Sequence, residues 1–256
     1  MRSGGIRNTK VELQMKLNRN TNVESLQVSP PDAKPVLCAG AVSKDGISLI
    51  HGDCLQALKS YGDNYFDVAI VDPPYGIGID GQKQSININN PKANRKAHDF
   101  KGWDNEIPTA EYFAELERVS KNQIIWGANY FVEHLHKGTK GWVVWYKGQE
   151  GLTMSDAELA YSSFDCATRV VKINRVELLK DGTIHPTQKP VKLYKWLLEN
   201  YAKKDWKILD THLGSGSIAI ACWDMGYDLT AYEVDKEYFD NACKRLETHK
   251  AQLTLW

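Results

Sequence analysis

Apolar residues follow two different spacings along the chain from Gly46 onward. Short apolar runs of strand length are separated by stretches in which apolar residues recur at helical spacing. The runs predict strands at 47–51, 67–71, 123–126 and 142–146. The stretches with helical spacing predict one helix that begins at Asp53 and another that covers 109–119. Strands that alternate with helices in this way are typical of a parallel sheet with helices on its faces.

Two further apolar runs, 157–162 and 168–173, follow one another without a helical pattern between them. We expect them to form an antiparallel element at one edge of the sheet. After Pro190, the pattern predicts helix 191–201, strand 207–209, helix 218–225, strand 229–232 and helix 235–248. The sequence therefore predicts an α/β, Rossmann-like fold with a mostly parallel mixed sheet, and ligands at the carboxyl ends of the strands.

Two stretches lie outside this pattern. Residues 1–44 show little periodicity and are predicted to be a flexible basic N-terminal extension, so that the folded domain covers 45–256. Residues 76–104 are rich in Asn, Gly and Ser and are predicted to be a mobile loop. Its basic side chains are candidates for contact with a polyanion, and solvated surface charge explains them equally well. They are Lys83, Lys92, Arg95, Lys96 and Lys101.

Composition narrows the class of protein. The 256 residues suffice for one substantial α/β domain. With 32 basic and 32 acidic residues, the chain does not resemble a protein that coats nucleic acid by net charge. The five cysteines lack zinc-type spacing, which predicts reduced thiols and no metal site. The chain shows neither an apolar signal core nor a membrane-length apolar run, so we expect a cytoplasmic protein without a membrane partner.

The most specific feature is Asp72-Pro73-Pro74-Tyr75, which directly follows the predicted strand 67–71. Consecutive prolines hold the chain in an extended turn that leaves carbonyl groups pointing outward. The Asp72 carboxylate and the Pro73 carbonyl would then be adjacent acceptors for an amine with two hydrogens, held flat against the ring of Tyr75. The alternative is a rigid turn with a packed tyrosine.

A second feature is the glycine turn between the predicted strand 207–209 and helix 218–225, where residues 210–217 read DTHLGSGS. Its glycines let the backbone pass close to a ligand and place a helix amino terminus beside it. Glu233 ends the next predicted strand, where an acid commonly binds ribose hydroxyls. This arrangement suits a nucleoside cofactor. NAD is a minority alternative, because Ala219 takes the third-glycine position of the dinucleotide fingerprint, where alanine is permitted.

A third segment, 185–190, reads HPTQKP and lies between the turn 72–75 and the glycine turn. In this order the three motifs resemble the β-type DNA amino-methyltransferases, the adenine-N6 and cytosine-N4 DNA methylase family, over roughly 46–246. The resemblance implies S-adenosylmethionine as cofactor and double-stranded DNA as partner. Asp72, at a position where cytosine-N4 enzymes more often carry Ser, favours the N6 amine of a flipped adenine.

The resemblance also implies roles for single residues. Residues 72–75 would be catalytic, Glu233 would bind the cofactor ribose, Asp53 its adenine and Lys189 its carboxylate. A helix N-cap is the alternative for Asp53, and a helix-entry segment capped by Thr187 is the alternative for 185–190. The other cofactor candidates are Asp72, Asp210, His212, Gly214, Ser215 and Gly216. The basic loop would close over the phosphates that flank the flipped base.

The chain departs from the family pattern at 210–212, where Asp-Thr-His stands in place of the usual Asp-Pro-Phe. Three alternatives stay open: a cytosine-N4 DNA methyltransferase, an RNA adenine methyltransferase, and a catalytically silent DNA-binding relative. The intact Asp72 and the intact glycine turn count against the last of these. A homodimer and a cognate restriction nuclease are both compatible with the resemblance, and the sequence decides neither.

Overall fold

The computed structural model describes residues 42–81, 83, 97, 99–135, 137–151, 155–174 and 183–253. All of them belong to the unit Pro31–Trp256, and the other unit of the chain is Met1–Pro30. The strands are β1 Val42–Lys44, β2 Ile47–His51, β3 Val68–Val71, β4 Gln123–Trp126, β5 Val143–Tyr146, β6 Ala157–Ser162, β7 Arg169–Lys172, β8 Lys207–Asp210 and β9 Asp228–Glu233. The α-helices are α1 Cys54–Leu58, α2 Ala110–Val119, α3 Val191–Tyr201, α4 Ser217–Met225 and α5 Lys236–Leu253.

The strands form one sheet in the order β1-β2-β9-β8-β3-β4-β6-β5-β7. The central strands β2, β9, β8, β3 and β4 pair in parallel. β6 runs antiparallel to both β4 and β5, and β7 is parallel to β5. The predicted mostly parallel mixed sheet is therefore confirmed.

The antiparallel pairing differs in detail from the prediction. The run 157–162 does form an antiparallel strand, but β6 pairs with β4 and β5 rather than with β7. β7 lies at the sheet edge in parallel with β5. At the opposite edge, β1 pairs antiparallel with β2, so the sheet begins ahead of the predicted domain boundary at residue 45. Apolar spacing indicates strands but does not say which strands are neighbours, because any two buried strands show the same pattern.

Helices cover both faces of the sheet. On β3, Val68 and Ile70 join the core that contains residues of α3, α4 and α5, whereas Ala69 and Val71 join the core that contains residues of α1 and α2. Successive side chains of a strand point to opposite faces, so a strand covered on both sides must be apolar throughout. This explains the uninterrupted apolar runs of the sequence. Within the described residues, no helix combines the length and apolar character that crossing a bilayer requires.

The parallel strands bring the candidate site together. Their carboxyl ends share one edge of the sheet, and residues of the predicted site lie at or just after these ends. Those positions are Asp53 after β2, Glu233 in β9, Asp210 in β8 and Asp72 after β3.

Candidate active site

The carboxylate of Asp72 is held from both sides. Its Oδ1 accepts a hydrogen bond of 2.5 Å from the Tyr75 hydroxyl, and its Oδ2 accepts one from Lys189 Nζ. The Lys189 ammonium also donates to the Tyr75 oxygen at 3.2 Å. The turn after β3 therefore presents an acid whose two oxygens are both engaged by the protein itself.

The ring of Tyr75 is held between two neighbours from the segment after β4. Tyr130 stacks on it with the ring centroids 5.1 Å apart and the planes 16° apart. Gly127 lies so close that a Cβ there would stand 2.1 Å from Tyr75 Cε1. Gly127 also has a φ of +68°, a left-handed conformation that favours glycine. The close approach and the left-handed backbone thus both favour glycine beside the Tyr75 ring.

A chain of alternating charges extends from Asp72 to the next strands. Lys189 Nζ lies 3.2 Å from Glu158 Oε2, and Lys147 Nζ lies 2.7 Å from Glu158 Oε1. The side chains are 1% exposed for Lys189, 12% for Lys147, 14% for Asp72 and 25% for Glu158. Two acids and two lysines share this largely buried site, so their formal charges cancel.

Burial and these neighbours act in opposite directions on the acids. Burial raises the pKa of Asp72, and the nearby Glu158 carboxylate raises it further, whereas Lys189 and the Tyr75 hydroxyl lower it; the net direction is upward. Burial alone would raise the pKa of Glu158, but Lys189 and Lys147 bring it below the usual range. Burial and the acids hold the pKa of Tyr75 well above its ordinary value, so its hydroxyl keeps the proton that it donates to Asp72.

The glycine turn lies beside this site because β8 neighbours β3 in the sheet. Gly214 and Gly216 have φ values of +51° and +71°. Gly214 N donates to Glu233 Oε2 at 2.8 Å, and Glu233 Oε1 accepts from Asp235 N at 3.0 Å. A Cβ at Gly216 would stand 3.1 Å from Ala242 Cβ, so this glycine also allows α5 to pack closely. The Glu233 carboxylate thus holds the glycine turn by accepting the backbone N–H of Gly214.

Asp210 and His212 are both uncharged around neutral pH. Burial raises the pKa of Asp210 to about 8, and the carboxylates of Asp72 and Glu233 raise it as well. Burial lowers the pKa of His212 to about 4. The neutral imidazole packs at 72° to the ring of Tyr112, with centroids 5.5 Å apart. His212 thus supplies a flat neutral ring where the family usually has phenylalanine.

Asp53 caps α1, as the alternative interpretation of this residue predicts. Its Oδ1 accepts hydrogen bonds from Leu55 N at 2.8 Å and from Gln56 N at 3.4 Å. The Asp53 side chain is exposed just after the end of β2.

Ser215, in the glycine turn, is buried and its hydroxyl lies 3.1 Å from that of Ser217.

Two buried aspartates fix the ends of the predicted loop 76–104. Asp104 accepts hydrogen bonds of 2.8 Å from the backbone N–H groups of Tyr75, Gly76 and Ile79. Asp80 accepts from the N–H groups of residues 101, 102 and 103. The segment after the turn 72–75 and the segment that returns from the loop therefore hold each other in place.

Of the predicted DNA-contacting residues, Lys92, Arg95 and Lys96 lie outside the described part of the chain. Lys83 is exposed. The Lys101 ammonium pairs with Asp235 at 2.7 Å and with Glu237 at 2.9 Å, so in this structure it is bound to the protein rather than presented to a phosphate.

Comparison with known proteins finds relatives among DNA methylases. A family model described as DNA methylase (N6/N4) matches residues 136–244. Type II methyltransferase M.HpaI from Haemophilus parainfluenzae is 22% identical over 245 residues, which cover 78% of this chain and 74% of the relative. Over the matched residues the chain is similar to the N6/N4 DNA methylase family. A second relative, type II methyltransferase M.HinfI from Haemophilus influenzae, is 22% identical over 79% of the chain and 69% of the relative.

Solved structures share the fold of this chain. A crystal structure of an M1.HpyAVI–SAM complex has a TM-score of 0.51 and 22% identity, covering 78% of this chain and 100% of that one. PvuII DNA methyltransferase, described as cytosine-N4-specific, has a TM-score of 0.53 and 11% identity, covering 80% of this chain and 90% of that one. At these identities the likeness concerns the fold alone.

The structure adds residues that the sequence reasoning missed. Asp104 and Gly127 contact the turn 72–75, and Asp80 contacts the segment that returns from the loop. Glu158 contacts Lys189, and Lys147 contacts Glu158. It also gives Lys189 partners other than the predicted cofactor carboxylate, since the ammonium lies between the carboxylates of Asp72 and Glu158. In the sequence, Glu158 and Lys147 are only isolated charges near the ends of apolar runs, with nothing to indicate that they meet.

Proposed function

We propose that this protein is a DNA methyltransferase that transfers a methyl group from S-adenosylmethionine to the N6 amine of an adenine in double-stranded DNA. The observation that carries the proposal is the position of Asp72. Its carboxylate follows β3, and the neighbouring strand β8 ends in the glycine turn that would hold the cofactor. The electrostatic influence of Asp72 on Asp210 agrees with this proximity.

The target amine has two hydrogens and needs two acceptors. We assign these to Asp72 Oδ1 and to the carbonyl oxygen of Pro73. Oδ1 already accepts from Tyr75, but a carboxylate oxygen has room for a second hydrogen bond, and the tyrosine hydroxyl can also give way. Accepting both hydrogens turns the nitrogen lone pair out of the ring plane and toward the methyl donor, so positioning supplies most of the catalysis.

The adenine must leave the helix stack before its N6 atom can reach this acid. The ring of Tyr75 offers an aromatic surface, and stacking on such a surface contributes about 1–3 kcal/mol per base. Tyr130 occupies one side of that surface and is 43% exposed, so it can move when a base enters. The same two tyrosines then form the walls of the base pocket.

The residues around the glycine turn fit S-adenosylmethionine. Each Glu233 oxygen accepts one backbone N–H and has a second lone pair for a ribose hydroxyl, while the neutral His212 ring offers a flat surface to an adenine. The Asp53 cap uses Oδ1 alone, which leaves Oδ2 for the adenine. When bound, the cofactor supplies a methyl group on a positively charged sulfur, which departs as a neutral thioether with the electron pair of the broken bond.

The amine loses one hydrogen as it gains the methyl group. We assign Asp72 Oδ1 as the acceptor of this proton, since the raised pKa makes the carboxylate a better base than an exposed aspartate. Lys189 stays charged, because its two carboxylate partners outweigh the effect of burial and raise its pKa. It therefore holds the acid without competing for the proton.

The experiment incubates the full chain with DNA and methyl-labelled S-adenosylmethionine, then digests the DNA to nucleosides and identifies the product by mass spectrometry. We expect N6-methyladenine from the unaltered protein and no product from Asp72→Ala, while calorimetry still detects cofactor binding. Asp240→Ala, on the exposed surface of α5, is the control that keeps activity. N4-methylcytosine as the product, or methylation by Asp72→Ala, would overturn the proposal.

A further inference from the structure

Lys189 makes three contacts that match the three hydrogens of its ammonium group. Its Nζ donates to Asp72 Oδ2 and to the Tyr75 hydroxyl oxygen, and it pairs with Glu158 Oε2 at 3.2 Å. A lysine that is 1% exposed cannot exchange these partners for water. The position of the ammonium is therefore a compromise between two acids.

Glu158 reaches this site because β6 runs against its neighbours. In the register of the sheet, Trp126 at the end of β4 faces Ala160, so the beginning of β6 lies at the edge where the parallel strands end. Trp145 in β5 faces Glu158, and Lys147 follows directly after that strand. The opposite strand direction thus delivers an acid to the catalytic edge.

We propose that Glu158 is a positioning residue for methyl transfer: by sharing the Lys189 ammonium with Asp72, it sets how strongly that ammonium holds the catalytic carboxylate. Lys147 controls this sharing, because it pairs with the other oxygen of Glu158. The inference rests on the proposed function for its catalytic meaning. The effect of Glu158 on the titration of Asp72 can be tested without a substrate.

The sign follows from the charges. An anion at Glu158 repels negative charge on Asp72 and draws the ammonium away, so both effects make Asp72 a stronger base. Neutralising Glu158 leaves Lys189 to Asp72 and should lower the Asp72 pKa. Removing Lys147 has the opposite effect, because Glu158 then competes harder for Lys189 and one positive charge is lost from the site. Two substitutions on neighbouring strands should thus act in opposite directions.

The other groups that interact with Asp72 do not reverse this expectation. These groups are Tyr75 in the same turn, Tyr112 in α2, Tyr194 in α3 and Asp210 in β8. Burial holds the pKa of each tyrosine well above its ordinary value, so the tyrosines stay neutral. Burial raises the pKa of Asp210 to about 8, so below that pH Asp210 adds little negative charge beside Asp72.

The test follows the titration of Asp72 by carbon-13 NMR in the full chain labelled at aspartate carboxyl carbons. The Asp72 signal is identified by its loss in Asp72→Asn. We expect Glu158→Gln to lower the titration midpoint by about one pH unit and Lys147→Met to raise it, since a charge at this distance shifts a carboxyl by that order. Glu158→Asp, which keeps the charge, should restore a midpoint near that of the unaltered protein.

Glu115→Gln is the matched control. Glu115 is 20% exposed and pairs with Arg118 on α2, so its loss also breaks a partly buried ion pair, yet the Asp72 midpoint should not move. An unchanged midpoint in Glu158→Gln, or shifts of the same sign in Glu158→Gln and Lys147→Met, would overturn the inference. If Glu158→Gln does not fold, the Lys147→Met variant tests the inference by itself: a raised Asp72 midpoint supports it, and an unchanged or lowered midpoint overturns it.

Methylation assays on the same proteins separate this inference from the proposed function. The acid side of the pH–rate profile should move with the Asp72 midpoint in each variant. If the unaltered protein transfers no methyl group to adenine, the proposed function fails, while the NMR titrations still decide whether Glu158 acts on Asp72. If adenine is methylated but the titrations do not move, only the inference fails.

Discussion

The Tyr75 hydroxyl donates a hydrogen bond of 2.5 Å to Asp72 Oδ1, the oxygen that we assign to the target amine. Before a base arrives, the tyrosine therefore satisfies the acid that the base will use. A buried carboxylate oxygen without a donor would be costly, and Tyr75 removes that cost for Oδ1, while Lys189 donates to Oδ2. The same side chain provides the ring against which the base would stack.

Tyr75→Phe should separate these two roles. The ring stays, but Asp72 loses a donor that lowers its pKa, so the acid side of the pH–rate profile should move to higher pH while transfer at alkaline pH is retained. The measurement is single-turnover methylation across the pH range. Tyr130→Phe, which alters the stacked neighbour, should leave the profile in place. A profile that stays put or moves to lower pH in Tyr75→Phe would contradict this role of the hydroxyl.

Gly127→Ala should displace the Tyr75 ring, because the new Cβ would stand 2.1 Å from Cε1. We expect methylation to fall at least ten-fold, with a loss of about 1–3 kcal/mol in the free energy of unfolding. Gly226→Ala is the matched control: it has the same φ of +68°, but a Cβ there meets no atom within 4 Å. If both variants lose activity equally, backbone strain rather than the clash with Tyr75 is responsible.

Asp104→Ala removes the acceptor of three backbone N–H groups in the turn that carries Tyr75. Because Asp104 is 1% exposed, the cost should be about 3 kcal/mol in the free energy of unfolding, measured by urea denaturation. The methylation rate at saturating cofactor should fall too, since the turn is no longer fixed. Asp240→Ala removes an exposed surface pair and should stay within about 0.5 kcal/mol of the unaltered protein. Full activity in a destabilised Asp104→Ala would mean that the turn does not need this anchor.

Asp210 should make the stability of the protein fall as the pH rises. Its pKa is about 8 in the folded state, well above that of an aspartate in the unfolded chain, because burial disfavours its charged form. Between about pH 4 and about pH 8 the folded state binds more protons, so this residue lowers stability by up to about 1.4 kcal/mol per pH unit.

Asp210→Asn has no proton to lose at this position. Its free energy of unfolding, relative to that of the unaltered protein, should therefore increase steadily from about pH 5 to about pH 8 in urea denaturation. A difference that stays constant over this range would show that Asp210 already ionises at low pH.

Local features of this protein follow from its sequence alone. Apolar spacing predicted β2 to β9 and the α-helices, with shifts of up to five residues at their ends, and α3 agrees with the predicted 191–201. It missed β1, which lies within the stretch predicted to be a flexible extension. The turn 72–75 and the turn 210–217 were identifiable because each is a short continuous segment whose chemistry depends on adjacent residues. Their common location followed from the rule that parallel strands end at one edge.

The residues that face these turns are brought there by the packing of distant parts of the chain. Glu158 is distant from Asp72 in sequence, and it reaches the same lysine only because β6 runs antiparallel between β4 and β5. Apolar periodicity carries no information about strand order or direction, so Glu158 and Lys147 looked like ordinary charges beside apolar runs. Lys189 likewise has its partners fixed by packing, since a buried ammonium must pair with whichever carboxylates the fold brings within reach.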